Sequence, residues 1–362
     1  MNQPLSFRFG DYTSDVHFVS PIRSFRFSAP SGMVLVFDRN TAGIPVSDGE
    51  LAPDDHASAA APARSARVVF KPGERSKSWS GASRILAKAL EAGLGRDGLI
   101  VGIGGGMICD LAAFAASLYM RGCRLRLVPT SLLAMVDAAF GGKTAINYGG
   151  YKNMAGTFYP AEQILIDVSL LESLPEREFR SGLGEVIKTA LLGDPALLAM
   201  LTSQKERILD RDPGLMEEVV RRCIAVKVGI VEADLRESGK RAFLNLGHTY
   251  GHALEAVTGY RLFSHGQAVA WGLMQAAVLS EHLGLAESAY TDLVRDLVQM
   301  YGFDLHVKSK PESIVRAMLV DKKKRRGKLR LVLQRGIGDT VVREVDPRLV
   351  TDTLARSPRN VP

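Results

Sequence analysis

Residues 99–120 read LIVGIGGGMICDLAAFAASLYM, the most apolar stretch of the chain. Its length would suffice to cross a bilayer. Three adjacent glycines, Gly104–Gly106, interrupt it, however, and Asp110 sits at its centre, where a charge is costly in lipid. The stretch reads instead as a buried strand over Leu99–Ile103, a glycine turn and a buried helix from about Met107. That is a strand–turn–helix unit of an α/β layer.

The same pattern recurs on both sides. MVLVFD (33–38), ARVVF (66–70), LRLVP (125–129) and ILIDV (164–168) are short apolar runs, and Ser80–Leu94 between them has helical spacing. Near-continuous Val, Ile and Leu predict parallel strands covered on both faces. The segment Asp54–Arg67 is rich in small residues and reads as a surface loop. Beyond Leu174 the period changes. Glu176–Leu192, Glu217–Ala233, Ala242–Thr258, Gln267–Leu283 and Ala286–Met300 carry apolar residues at helical spacing. A hairpin over 329–333 and 340–345 follows. No internal repeat is apparent. The expected organisation is an α/β, Rossmann-like nucleotide-binding domain over residues 1–173. A mainly α-helical metal- and substrate-binding domain over 174–362 completes it.

Composition agrees with a two-domain globular chain: 362 residues, 46% hydrophobic and 23% charged. It excludes a disordered or collagen-like chain. Cys109, Cys123 and Cys223 lack CxxC spacing, so they read as buried thiols in a reducing compartment. The N-terminus has no basic region followed by an apolar core, so no signal peptide is expected and the cytoplasm is. The net charge of +7 favours anionic partners. Much of the excess lies in Asp321-Lys-Lys-Lys-Arg-Arg326. That run has no interleaved aromatics and no recognition-helix context, so nucleic acid is not the expected partner.

Gly102-Ile-Gly-Gly-Gly-Met-Ile-Cys-Asp110 departs from GxGxxG, because the third glycine would fall on Met107. Glycines at a strand end still admit a phosphate to the backbone N–H groups, and a helix N-terminus favours the anion. The alternative is a turn that needs positive φ. His248 and His252, in HTYGH, stand at i and i+4 on one helix face, with His265 nearby. Thr249 occupies the place of the HExxH glutamate, so metalloprotease chemistry is unsupported. Two imidazoles and a carboxylate suit a divalent metal. Spacing alone leaves open which histidines bind and which acid joins them, and hydrogen-bonded core histidines remain an alternative. Lys143, Lys152, Asn153, Lys188, Lys227 and Arg241 form a set suited to a small polyanion. GGKT (141–144) is not a P-loop, because Asp137 replaces the first glycine.

Nine ordered segments resemble the 3-dehydroquinate synthase family of sugar phosphate cyclases. They are PGERSK (72–77), GGGMICD (104–110), YMRG (119–122), PTSLLAMVDAAFGGKTAIN (129–147), KNMAGTFYP (152–160), LPEREFRSGLGEVIK (174–188), ESGKRAFLNLGHTYGHALEA (237–256), HGQAVAWG (265–272) and DKK (321–323). The resemblance implies NAD held by Asp38, Glu74, Lys77, Gly105, Gly106, Asp110, Thr130 and Ser131, with Lys143 and Lys152 at the junction with substrate. It implies zinc or cobalt on Glu185, His248 and His265, and so assigns His252 to the substrate. Asp137, Lys143, Asn153, Lys188, Lys227, Glu237, Arg241, Asn245 and Lys322 match further substrate positions. Arg121 matches an arginine reaching a neighbouring subunit's phosphate site, which implies a homodimer.

The implied reaction converts 3-deoxy-D-arabino-heptulosonate 7-phosphate to 3-dehydroquinate and phosphate. It runs through transient oxidation by NAD, elimination, re-reduction and an intramolecular aldol closure. Departures occur at Ser131, Met135, Ala138, Ala139, Phe140 and Leu235, and the first ~30 residues match nothing. The alternatives are another sugar phosphate cyclase or a metal-dependent polyol dehydrogenase.

Overall fold

The computed structural model describes residues 5–19, 25–27, 29, 31–48, 65–234, 239–321 and 328–356. The chain divides into two compact units at Leu174/Pro175.

In the first unit the strands are β1 (Leu5–Phe9), β2 (Tyr12–Phe18), β3 (Phe25–Phe27), β4 (Met33–Asp38), β5 (Val46–Asp48) and β6 (Ser65–Phe70). Helix α1 (Trp79–Glu91), β7 (Leu99–Gly104), α2 (Gly106–Leu118), β8 (Arg124–Pro129), β9 (Lys143–Tyr148), β10 (Tyr151–Phe158) and β11 (Gln163–Ile166) follow. The main sheet has the order β1-β2-β11-β8-β7-β4-β6. Only β1 runs antiparallel to its neighbour. Every residue of β4 and β7 is buried, as the continuous apolar runs require of central strands covered on both faces. Met33, Leu35, Phe37, Leu99, Val101 and Ile103 from these strands pack with Phe25 and Phe27 of β3. Each such side chain contributes ~1.5–3 kcal/mol through burial.

Residues 99–120 are therefore a strand and a helix rather than a span. Among the described residues no helix is long and apolar enough to cross a membrane. The five strand expectations hold to within two residues, and α1 ends three residues before the expected Leu94. Of the expected surface loop, residues 65–67 belong to β6 and the remainder lies outside the described residues. The N-terminal β1–β2 hairpin was not anticipated, because its half-exposed LSFRF and YTSDVHF have no continuous apolar run. All three cysteines are buried and free.

The second unit contains α3 (Glu176–Gly193), α4 (Pro195–Ser203), α5 (Lys205–Leu209), α6 (Pro213–Ala233), α7 (His248–Val257), α8 (His265–His282), α9 (Ser288–Met300) and α10 (Pro311–Asp321). The hairpin β12 (Leu329–Gly336) and β13 (Asp339–Val345) precedes α11 (Pro347–Arg356). The helix expected over 242–258 is in fact two elements. Residues 240–245 form a 3₁₀ turn, and Gly247 adopts φ 76° before α7 begins. A left-handed glycine cannot continue a helix, so the apolar spacing spans a break. Helix α8 begins cleanly at Ser264, which forms a capping box with Gln267.

Helices α3, α7 and α8 meet backbone to backbone. A Cβ on Gly266 would lie 1.8 Å from the Ser181 carbonyl oxygen, and one on Gly184 would lie 2.4 Å from that of Gly266. A Cβ on Gly272 would lie 2.1 Å from the Gly247 oxygen. Tyr250 on α7 is buried edge-on against Trp271, and its hydroxyl has no hydrogen-bond partner among the described residues. A buried unsatisfied hydroxyl costs ~1–3 kcal/mol. Tyr250→Phe should therefore raise the urea midpoint, and a lower midpoint would show that the hydroxyl is satisfied in solution.

Candidate active site

In the first unit the candidate residues collect at the carboxyl ends of β4, β7 and β8. Counted from β4, the parallel strands run in the order 2-1-3-4-5. The chain reverses direction between β4 and β7, and open α/β sheets bind ligands at that switch point. Asp38 ends β4 and is buried. Its Oδ1 accepts from the backbone N–H of Asn40 (2.8 Å) and Thr41 (3.1 Å), which folds the loop over the strand end. Gly104 ends β7 and Gly105 precedes α2.

None of Gly102, Gly104, Gly105 and Gly106 has positive φ, so a turn requirement does not explain them. Close approach does. A Cβ on Gly104 would lie 2.7 Å from the Ile108 Cβ. At Gly105 a Cβ would meet only the Ser131 side chain, with Oγ at 3.3 Å, and no side chain caps this helix N-terminus. The result is a bare backbone cradle beside Thr130 and Ser131, with a helix dipole favouring an anion. It fits the pyrophosphate of a dinucleotide.

A polar chain runs beside this cradle. The buried Lys77 ammonium lies 2.5 Å from Asp110 Oδ2 and 2.5 Å from Asn153 Oδ1. Asn147 donates to Glu74 Oε2 (2.9 Å) and accepts from the Asn153 N–H (3.0 Å). Asn153 itself sits at φ 52°, a strained conformation for a residue with a Cβ. Glu74, Lys77, Asp110 and Asn153 are thus joined in one network. Lys143 and Lys152 lie on the adjoining β9–β10 hairpin, and Asp137 is half-buried in a π-turn over Ala134–Ala138. Arg121 is exposed, with φ 69° beside Met120 at φ 50°.

In the second unit Glu185, His248 and His265 converge. Glu185, on α3, has a side chain that is only 1% exposed. Its Oε1 lies 3.4 Å from His248 Nε2 and 3.2 Å from His265 Nε2. Its Oε2 lies 2.5 Å from the Lys188 ammonium, one helical turn on. Neither carboxylate oxygen receives a well-directed hydrogen bond from the described residues. Burial would push the Glu185 carboxyl up, but Lys188 and the two imidazoles hold it well below the usual range. Burial would lower the His265 imidazole, but Glu185 and Glu255 push it up to about 10.

The pocket therefore favours positive charge. Three N and O donor atoms lie within 4.8 Å of one another, the donor set of a catalytic zinc or cobalt centre. A second group, His252, Glu255 and His265, meets the same distance criterion. His252 is exposed, its ring 5.4 Å from that of His248 and 5.8 Å from that of His265.

Three buried cations occupy the elements packed around the cluster: Lys188 on α3, Lys227 on α6 and Arg241 on the 3₁₀ turn. Asp234 Oδ2 accepts from the N–H groups of Gly239 and Arg241, which fixes that turn; Asn245 lies at its end. Glu237, Lys322 and the basic run through Arg326 lie outside the described residues. Sequence reasoning missed two features. Glu255 stands seven residues after His248, hence on the same helix face, and it is buried against His265. Gly184 and Gly266, each next to a cluster residue, sit inside helices where glycine costs ~1 kcal/mol. That cost is itself the signal of a close approach.

The 3-dehydroquinate synthase N-terminal family model matches residues 67–181, and the C-terminal model matches residues 182–324. A 3-dehydroquinate synthase of Acidithiobacillus ferrooxidans is 43% identical over 289 residues, 79% of each chain. One of Xanthomonas campestris pv. campestris is 42% identical over 80% of each. Among solved structures, 2-epi-5-epi-valiolone synthase from Streptomyces hygroscopicus subsp. jinggangensis, with NAD+ and Zn2+ bound, superposes with a TM-score of 0.80. It is 25% identical, with coverage of 96% of this chain and 97% of that one. With such identity over most of its length, and with both family models matched, this chain belongs to the 3-dehydroquinate synthase family.

Proposed function

We propose that this chain catalyses the 3-dehydroquinate synthase reaction, the step of the shikimate pathway that turns 3-deoxy-D-arabino-heptulosonate 7-phosphate into 3-dehydroquinate and phosphate. The observation that carries this reading is the Glu185–His248–His265 cluster, with buried Lys188 beside it and buried Lys227 and Arg241 on elements packed against α3. Glu185, His248 and His265 would hold a zinc or cobalt ion, which when bound polarises a substrate hydroxyl as a Lewis acid. NAD would lie on the Gly105 cradle, with Asp38, Glu74, Lys77, Gly106, Asp110, Thr130 and Ser131 around it, and supplies reversible hydride transfer. The relative from S. hygroscopicus was solved with this same pair, NAD+ and Zn2+.

The chain's own residues position and neutralise. Lys188, Lys227 and Arg241 hold the substrate's carboxylate and phosphate through charge-assisted contacts, each worth ~1.5–3 kcal/mol. Asn245 and His252 complete this side, and the family resemblance adds Glu237 and Lys322. The family resemblance adds Asp137, Lys143, Lys152 and Asn153 to the residues that serve the substrate. Buried cations suit an anionic substrate, which sets this reading above a polyol dehydrogenase. We place the enzyme in the cytoplasm as a homodimer, with Arg121 of one copy serving the other. Exposed Tyr148, Tyr151, Met154 and Phe158 on the β9–β10 hairpin are apolar surface that a second copy would cover.

The test is turnover of the heptulosonate phosphate with NAD and zinc or cobalt. Phosphate and dehydroquinate should appear steadily with no net rise in NADH absorbance, because the hydride returns within each cycle. Stoichiometric NADH from glycerol, without phosphate release, would establish the dehydrogenase instead. In the same assay Gly105→Val should weaken NAD binding by at least tenfold by calorimetry. It should leave metal binding intact, since the added side chain fills the cradle; unchanged NAD affinity would remove the pyrophosphate from Gly105.

A further inference from the structure

The two histidines of the cluster present the same face to Glu185 and rest on different groups behind. Each points Nε2 at Glu185 Oε1. Behind, His248 Nδ1 lies 3.2 Å from the Leu246 carbonyl oxygen, whereas His265 Nδ1 lies 3.3 Å from Glu255 Oε2. A carbonyl can only accept, so His248 carries its proton on Nδ1. The ionised Glu255 likewise accepts, which puts a proton on His265 Nδ1 and leaves Nε2 as the donor atom. Glu255 is 4% exposed, on α7, and reaches the first residue of α8.

We infer that Glu255 is a positioning residue for the metal centre, fixing the tautomer and ring orientation of His265 and strengthening Nε2 as a donor. The inference rests on the metal-site reading above. A carboxylate behind one imidazole and a neutral carbonyl behind the other makes the two ligands unequal: His265 is the more basic, more anionic donor. Such outer partners typically contribute 10–100-fold to metal affinity.

The experiment compares wild type, Glu255→Gln and Glu255→Asp, all loaded with cobalt. Glu255→Gln keeps the shape and can still reach Nδ1, but it removes the charge. It should bind one cobalt per chain with Kd raised ~10–100-fold by chelator competition. Its visible cobalt absorption bands should move, and kcat at saturating metal should fall while substrate KM stays within about twofold. Glu255→Asp, which keeps the charge, should recover part of the affinity. The chelator-treated variants should share the wild-type unfolding midpoint, which separates positioning from folding. An unchanged Kd and cobalt spectrum in Glu255→Gln would overturn the inference. So would complete loss of stoichiometric cobalt, which would make Glu255 a ligand in the His252–Glu255–His265 group. Wild-type protein that binds no cobalt would sink the metal-site reading itself, before any variant is compared.

Discussion

His248→Ala should lose its bound metal and at least about three orders of magnitude in kcat. Removing a Lewis acid costs several kcal/mol of transition-state stabilisation, and ~1.4 kcal/mol is a factor of ten. The fold should survive, because His248 opens α7 and is not among the buried core residues. Glu185→Gln should lose metal as well, and should also unfold more easily. It strands the Lys188 ammonium, 2% exposed, beside a neutral amide, and breaking a buried ion pair from one side costs ~3–5 kcal/mol. His252→Ala should keep stoichiometric metal and lose turnover. Metal analysis after gel filtration distinguishes the two candidate groups. If His252→Ala releases the metal and His248→Ala retains it, the ion belongs to His252, Glu255 and His265.

The parts of the fold readable from sequence are those where one physical requirement dominates. MVLVFD and LIVGIG are buried on both faces, so their apolar runs announce central parallel strands. LSFRF at the sheet edge and YTSDVHF next to it are half exposed and carry no such mark. The apolar spacing of 242–258 continues across Gly247, but its left-handed backbone does not, and periodicity cannot sense φ. At the site, HTYGH places two imidazoles one turn apart and leaves the choice of acid open. Glu185 lies more than sixty residues away in the chain, and only the packing of α3 against α8 brings it to His265. Spacing reports neighbours along a helix; it is silent about which helix comes to meet it. Glycines 104–106 were legible as a break between strand and helix, although their reason is steric clearance rather than backbone conformation.

That packing makes Gly266→Ala the sharpest test of how the second unit is built. The new Cβ would stand 1.8 Å from the Ser181 carbonyl oxygen and 2.5 Å from its carbon. Both are backbone atoms of α3 and cannot swing aside as a side-chain tip would, so α8 must move away from α3 by more than 1 Å. His265 is the preceding residue, and Glu185 lies four residues after Ser181, so the displacement falls directly on the 3.2 Å approach of His265 Nε2 to Glu185 Oε1. A misplacement of that size costs ~100-fold in a positioned site, and strain in a packed core adds ~1–3 kcal/mol of destabilisation. Gly266→Ala should therefore weaken zinc binding and lower the unfolding midpoint together. Gly229→Ala is the control. Gly229 lies on the exposed face of α6, where a Cβ would meet nothing within 4 Å. The same added methyl group there should stabilise by ~0.5–1 kcal/mol through helix propensity alone and leave zinc binding unchanged. Opposite signs from one chemical change would locate the effect in the α3–α8 contact. A Gly266→Ala protein with wild-type midpoint and zinc affinity would show that the two helices do not touch there in solution.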